Sequence, residues 1–215
     1  MTSVCMLSTG HRTFDGRVFL KEARSLSDFG YDVKFIVHHE ERTVRDGVEI
    51  VPLGTANSRA ERWRHIPRAY KIAKSINADV YHLHVPELLP VGVALSQTTD
   101  AKIIFDAHED FNQNTIYYRE WLPPTAQKLL TSIYPPIQDT LSRRLDAVIA
   151  TTETIAQGFR ERDYPNVTVV RNFPMTKRIS IGPPPIEKDH ESVLMYVGGL
   201  TESRGIMRML RVTKH

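Results

Sequence analysis

KIIFDAHED, residues 102–110, joins an apolar run, Ile103-Ile104-Phe105, to an abrupt cluster of polar groups at Asp106, His108, Glu109 and Asp110. A short run of β-favouring residues without alternation reads as a strand buried on both faces, the pattern of a parallel sheet. Open α/β sheets hold their ligands in the crevice outside the carboxyl ends of the strands. A strand that empties into His108 therefore offers a group able to share a proton near neutral pH, with Asp106 and Glu109 placed to orient or charge it. A solvated strand-end cluster would carry the same residues, so the stretch becomes a site only if a pocket surrounds it.

The rest of the chain alternates in the same way. Val4 to Leu7 reads as a first buried strand, followed by Ser8-Thr9-Gly10-His11 and a helix from about Asp15. Phe19, Ala23, Leu26 and Phe29 mark that helix's core face, Asp15 its N-cap and Gly30 its C-terminal glycine. Val33 to Val37 completes a βαβ unit with one glycine instead of G-x-G-x-x-G, a weak dinucleotide signal. The helix start still suits phosphate through its free amides and dipole, and Arg17 adds a cation.

Asp46-Gly47 signals a turn before a strand from Val48 to Leu53. Ser58 to Asn77 reads as a basic helix, with Ile66, Ala69, Ala73 and Ile76 as the core stripe and Pro67 bending or restarting it. Its other face carries Arg64, Arg68 and Lys71 behind Trp63, which is either a solvated face or a cationic surface for anionic lipid. In the strand Asp79 to His84, His82 and His84 share one face, as a metal pair or as hydrogen-bonding groups. A short apolar helix after Pro86 and Glu87 leads back to Lys102.

Beyond Asp110, Phe111, Ile116, Tyr117, Tyr118 and Trp121 crowd a segment that either lines a cleft or is pinned to the core. Helical character from Ala126 to Tyr134 breaks at Pro135-Pro136 and resumes to Arg144. Ala147 to Thr151 is a strand, Thr152 to Arg162 a helix whose start faces the strand ends, and Val167 to Val170 a further strand. Residues 173–191 read as a proline-rich linker after a domain of residues 1–172. From 192 onward, Val193 to Val197, Gly198-Gly199, Ser203-Arg204-Gly205 and an apolar helix repeat the strand-glycine-helix opening. One strand and one helix cannot bury a core alone, so the expectation is a second domain cut short.

At 215 residues and 41% hydrophobic the chain can bury at least one core. It has no apolar run of membrane-spanning length, and MTSVCMLSTG lacks the regions of a secretory signal, so the expectation is a cytoplasmic protein. The single cysteine, Cys5, reads as buried and inert. A net charge of +3, without zinc-ligand spacing or a basic-aromatic RNA motif, gives no case for nucleic acid.

The ordered series of motifs resembles the N-terminal domain of family 4 glycosyltransferases of the GT-B fold. His11, Asp15, Arg17, Lys21-Glu22, Leu26 and Gly30-Tyr31-x-Val33 are similar to HxxxDxRxxxKExxxLxxxGYxV. Asp79-x-x-His82-x-His84, Asp106-x-His108-Glu109, Asp146 to Glu153, Val169-x-Arg171-Asn172 and Tyr196-x-Gly198-Gly199 follow in the family's order. The resemblance implies an α/β fold with a doubly wound parallel sheet, followed by a second Rossmann-like domain. It implies retaining transfer of a sugar from a nucleotide diphosphate sugar to a glycan or lipid-linked acceptor hydroxyl, in polysaccharide synthesis, with the protein peripheral to the inner face of a membrane and without a separate cofactor or metal.

By the same resemblance His108 is the catalytic position beside the transferred sugar. Gly10 and Arg17 face the donor phosphates, and Gly199 and Arg204 hold the diphosphate from the second domain. His11, Asp15, His84 and Glu87 are further substrate-binding positions, as are Asp106, Glu109 and Glu153. The family's E-x7-E glutamate pair would lie beyond His215. Without an evident carboxylate nucleophile the leaving phosphate would take the acceptor proton, which leaves His108 to orient and stabilise. A nucleotide-sugar epimerase of the same fold and a non-catalytic sugar-binding chain are the rival readings.

Overall fold

The computed structural model describes residues 1–108, 123–164, 166–175, 182, 195–200 and 204–213. Within them eight strands form one sheet: β1 (Ser3–Leu7), β2 (Asp32–Val37), β3 (Thr43–Arg45), β4 (Val48–Pro52), β5 (Val80–Leu83), β6 (Lys102–Ala107), β7 (Ala147–Ala150) and β8 (Val167–Val169). Their spatial order is β3-β4-β2-β1-β5-β6-β7-β8, and every neighbouring pair is parallel except the β3–β4 hairpin at one edge. The order reverses at β1, with β2 and β4 on one side and β5 to β8 on the other. The loops that leave β1 and β5 therefore diverge and open a crevice at their carboxyl ends, the binding place of a doubly wound sheet.

Alternation of side chains assigns the two faces. Cys5, Leu7, Tyr81, Leu83, Ile103, Phe105 and Val148 pack with residues of α3 (Ile66–Ile76), α4 (Leu89–Thr98), α5 (Pro124–Ser142) and α6 (Glu153–Arg160). On the opposite face Val4, Met6, Val33, Phe35 and Ile50 pack with Val18, Phe19 and Ala23. Each such large side chain withdrawn from water is worth about 1.5–3 kcal/mol, so the sheet centre is where the fold is secured.

The first helix is not the uniform α-helix that the sequence suggests. Residues Val18–Ala23 form a π-helical segment that runs into α1 (Arg24–Asp28). The wide turns shift the helical phase, so Phe19 and Ala23 are buried while Phe29, expected on the same face, is 83% exposed. Phe29 is the C-cap, and Gly30 N to Ser27 O and Tyr31 N to Leu26 O close a Schellman motif.

The basic segment is two helices, α2 (Arg59–Arg64) and α3, meeting at His65 with Pro67 in the first turn of the second, so the proline restarts the helix. Arg64, Arg68 and Lys71 are exposed on it, and Trp63 is 58% exposed. Conversely α5 runs unbroken through Pro135 and Pro136, where a break was expected. Tertiary anchors outweigh the local defect: the Tyr164 hydroxyl bonds Asp139 and Ser142 near the helix end, and Leu141 packs on the core.

The strand expected over Val193 to Val197 is absent from its described part, residues 195–197, which are exposed and without regular structure. A short helix, α7 (Ile206–Val212), follows and buries no residue, leaving Met207 and Leu210 about half exposed. Glu109, the aromatic stretch Phe111 to Trp121, Val193, Ser203 and most of the proline-rich 173–191 lie outside the described residues. No described helix is long and apolar enough to cross a membrane.

Candidate functional site

Arg17 is the hinge of the site. Its Nη2 donates to both oxygens of Asp106, at 3.1 and 3.0 Å, and its Nη1 to Val170 O at 3.1 Å, tying the loop after β1 to the ends of β6 and β8. Its Nε lies 2.8 Å from Glu22 Oε1, five residues on, the spacing of one π turn. Glu22 is kept protonated by its surroundings, so that contact is no ion pair, and neither the Arg17 Nε nor either Glu22 oxygen has an aligned hydrogen-bond partner. Arg17 and Asp106 are both almost wholly buried. The sequence led us to expect a free cation for phosphate here. The structure instead spends that charge on the buried Asp106 carboxylate, since an unpaired guanidinium at this depth would be prohibitively desolvated.

The amides at the helix start are likewise taken. Asp15 Oδ1 accepts from Arg17 N at 2.7 Å and Val18 N at 3.0 Å, and Ser8 Oγ accepts from Gly10 N and His11 N. Asp15 thus does the work expected of a cap, and the free amides expected for phosphate are already bonded. Burial opposes ionisation of Asp15, but these backbone bonds outweigh it and hold its carboxyl below the usual range.

Four histidines gather around Asp106. His108 Nε2 lies 2.8 Å from Asp106 Oδ2 and His84 Nδ1 3.5 Å from the same oxygen. The His11 ring stands 4.9 Å from that of His108, and the His82 ring 4.2 Å from that of His84. Burial is the main cause that lowers the pKa of His11, to about 4, and it also depresses His82 and His84. These three are neutral rings at pH 7, and of them His11 is held by Ser8 Oγ at 2.8 Å from its Nδ1. Burial works against the Asp106 anion most strongly, yet the hydrogen bond with His108 and the close His84 ring overcome it and hold the carboxyl far below its ordinary value. Glu22 moves the opposite way, pushed up by burial and by the Asp106 charge against the pull of Arg17. One anion, one guanidinium and one protonated carboxyl make a closed set.

His108 sits just past β6 with its side chain 18% exposed, and its carbonyl accepts from Thr151 Oγ1 at 2.9 Å. It lines an open cavity of about 700 Å³ with His11, Asp15, Arg17, Thr151, Thr152, Glu153, Arg171, Asn172 and Phe173. A second cavity, of about 510 Å³, lies across His11 and includes Gly10. Glu87 accepts from the Thr9 hydroxyl at 3.2 Å, and His84 is buried beneath the first cavity. Glu153 is paired with Arg160 on α6. Gly199 and Arg204 are near each other but line neither cavity; a Cβ at Gly199 would stand 3.9 Å from Arg204 Nε.

Three contributors were named from sequence only as members of the motif series, with no role in the site. Glu22 carried a signal in its five-residue spacing from Arg17, but only the π turn gives that spacing meaning. Arg171, exposed at the rim, and Lys21, which bonds Asn172 and Phe173 O, needed the fold to bring the end of β8 beside the first helix. One ligand atom each from Glu22, His82, His84 and Asp106 lie within 4.8 Å of one another, a set with the chemistry of a divalent-cation site. Arg17 already supplies the counter-charge such a cation would bring.

The family described as a glycosyl transferase 4-like domain matches residues 16–172. Among curated protein sequences no match is found. A structure of sucrose-phosphate synthase from Thermosynechococcus elongatus superposes with a TM-score of 0.58 at 12% identity, covering 80% of this chain and 48% of that one. A second structure of that enzyme gives 0.53 at 11% identity, covering 81% of this chain and 90% of that one. The chain thus spans about half the length of the first of these relatives, and at such identities the likeness is one of fold. The doubly wound sheet, the strand-end site and the match over residues 16–172 together place this chain in the glycosyl transferase 4-like family.

Proposed function

We propose that this chain is the acceptor-side part of a retaining glycosyltransferase, which moves a sugar from a nucleotide diphosphate sugar to a hydroxyl of a glycan or lipid-linked acceptor in polysaccharide synthesis. The observation that carries the reading is the 700 Å³ cavity at the strand ends, where a partly exposed His108 is fixed by the buried Asp106 in a chain of this family. His108 takes the role of orienting the reacting sugar and stabilising charge as the bond to the leaving diphosphate breaks. His11, kept neutral by burial, offers a hydrogen bond on the cavity's other wall. Asp15 and Glu153 are the carboxylates on that lining, suited to sugar hydroxyls, and Arg171 is its exposed cation.

Gly199 and Arg204 remain the positions proposed to meet the donor diphosphate. The site needs no resident cofactor in this scheme, and the donor is a substrate. The test is to incubate the protein with a panel of nucleotide sugars, with and without glycan or lipid-linked acceptors. Free nucleotide diphosphate and the anomeric configuration of the product are then measured. Acceptor-dependent release with retained configuration supports the reading. Isomerised donor without acceptor would instead support an epimerase.

A further inference from the structure

The second cavity has a composition unlike the first. Its lining is Thr9, Gly10, His11, Arg12, Thr13, His38, Ala56, Asn57, Ser58 and Arg62, with no carboxylate among them. Arg12 comes from the loop after β1 and Arg62 from α2, so two guanidinium groups converge from separate elements. Neither has a carboxylate partner among the described residues. Two acids bonded to lining residues face other groups: Glu87 accepts from the Thr9 hydroxyl, and Glu61 accepts from Asn57 N.

Two guanidinium groups held beside one cavity without a counter-anion repel each other, and a bound anion removes that repulsion. The Asn57 side-chain amide and the Ser58 hydroxyl add neutral donors on the same lining. A set of planar guanidinium forks and small donors arranged around about 510 Å³ matches a group with several anionic oxygens better than a neutral hydroxyl. Gly10 keeps the wall open. A Cβ there would come within 2.9 Å of Val85 Cγ1, which would have to shift, and would touch Arg62 Nη1 at 3.6 Å.

We propose that this cavity binds a phosphate or pyrophosphate group carried by the acceptor. The inference takes the word acceptor from the glycosyltransferase reading; the phosphate site itself stands on the lining. His11 is the wall shared by both cavities, so an anchored phosphate would set the rest of an acceptor against the side of the site where His108 lies. The phosphate could be that of a soluble sugar ester or of a lipid. The chemistry is the same, and the experiment separates the two sources.

Isothermal titration of the full chain with inorganic pyrophosphate tests the site without requiring transfer. Binding should weaken roughly tenfold in Arg62→Gln and in Arg12→Gln, the loss of one charge-assisted contact, and be unchanged in Arg64→Gln, which lines neither cavity. Unaltered melting temperatures would show that the variants fold. Absence of pyrophosphate binding, or equal binding by the wild type and both variants, overturns the proposal. In a second arm, phosphatidylcholine vesicles doped with phosphatidic acid are sedimented with the protein. Binding that pyrophosphate competes away assigns the site to a lipid-borne phosphate, whereas pyrophosphate binding without competed vesicle binding assigns it to a soluble ester. Pyrophosphate bound in the predicted pattern, with no transfer to any acceptor, would leave the phosphate site standing and remove the glycosyltransferase reading. Transfer to neutral acceptors without pyrophosphate binding would do the reverse.

Discussion

At the scale of single residues the site divides into a buried frame and a working edge. Arg17 belongs to the frame. Replacing it by Met strands the buried Asp106 anion, and should cost about 3–5 kcal/mol in urea unfolding, while Arg17→Met with Asp106→Asn together should cost less than the sum of the two. Additive losses would mean that the pair is not coupled. His108 belongs to the edge. His108→Ala should lower transfer by about a hundredfold and shift the melting temperature little, since the ring is partly exposed and only one bond to Asp106 is lost. Unchanged transfer would take His108 out of the mechanism, and a collapse in stability would make it part of the frame. The frame also sets the pH response. His11, His82 and His84 have lowered folded-state values, so the unfolded chain binds more protons below about pH 6.5, and stability falls on acidification from there. Glu22 is raised, so its contribution is complete at acid pH and fades as pH rises above the carboxylate range. Chemical denaturation across pH should therefore find a maximum near neutrality, with the acid limb set by the histidines. A stability flat from pH 7 to pH 5 would contradict the burial of these rings.

Among the elements, the π-helical segment and the edge hairpin show how local geometry serves the whole. The π turn sets Arg17 and Glu22 side by side, at the cost of the regular phase that would have buried Phe29. The β3–β4 turn at Asp46-Gly47 has both residues at positive φ, 51° and 76°, the requirement of a tight hairpin. A Cβ at Gly47 would also meet Ser27 Oγ at 2.3 Å. Gly47→Ala should therefore cost about 1–2 kcal/mol. Adding Ser27→Ala should recover the clash and leave the backbone strain, so full recovery in the double variant would assign the whole loss to the side chain. Asp46-Gly47 was readable as a turn, whereas β3 itself was not: three residues with no apolar alternation become a strand only because β4 is there to pair with.

For the whole molecule, the exposed Trp63, Arg64, Arg68 and Lys71 lie on the neighbouring helices α2 and α3, and we expect them to hold the protein weakly on anionic lipid. Sedimentation with phosphatidylglycerol vesicles should rise at low salt and fall as screening shortens the reach of the charges. Equal sedimentation with neutral vesicles would count against that face. The amino-acid order by itself determined the alternation of strands and helices, the strand-end position of His108 and the series of motifs, because these depend on local periodicity and turn chemistry. What only the tertiary structure decided is how the charges are shared. Arg17 with Glu22, His84 and Asp106 come from three separate stretches, and each residue reads alone as a free polar group. Folding removes them from water together, and the cost of burying a charge then leaves one arrangement: Arg17 neutralises Asp106, Glu22 keeps its proton, and Arg12, Arg62 and Arg171 are the cations left to face the two cavities.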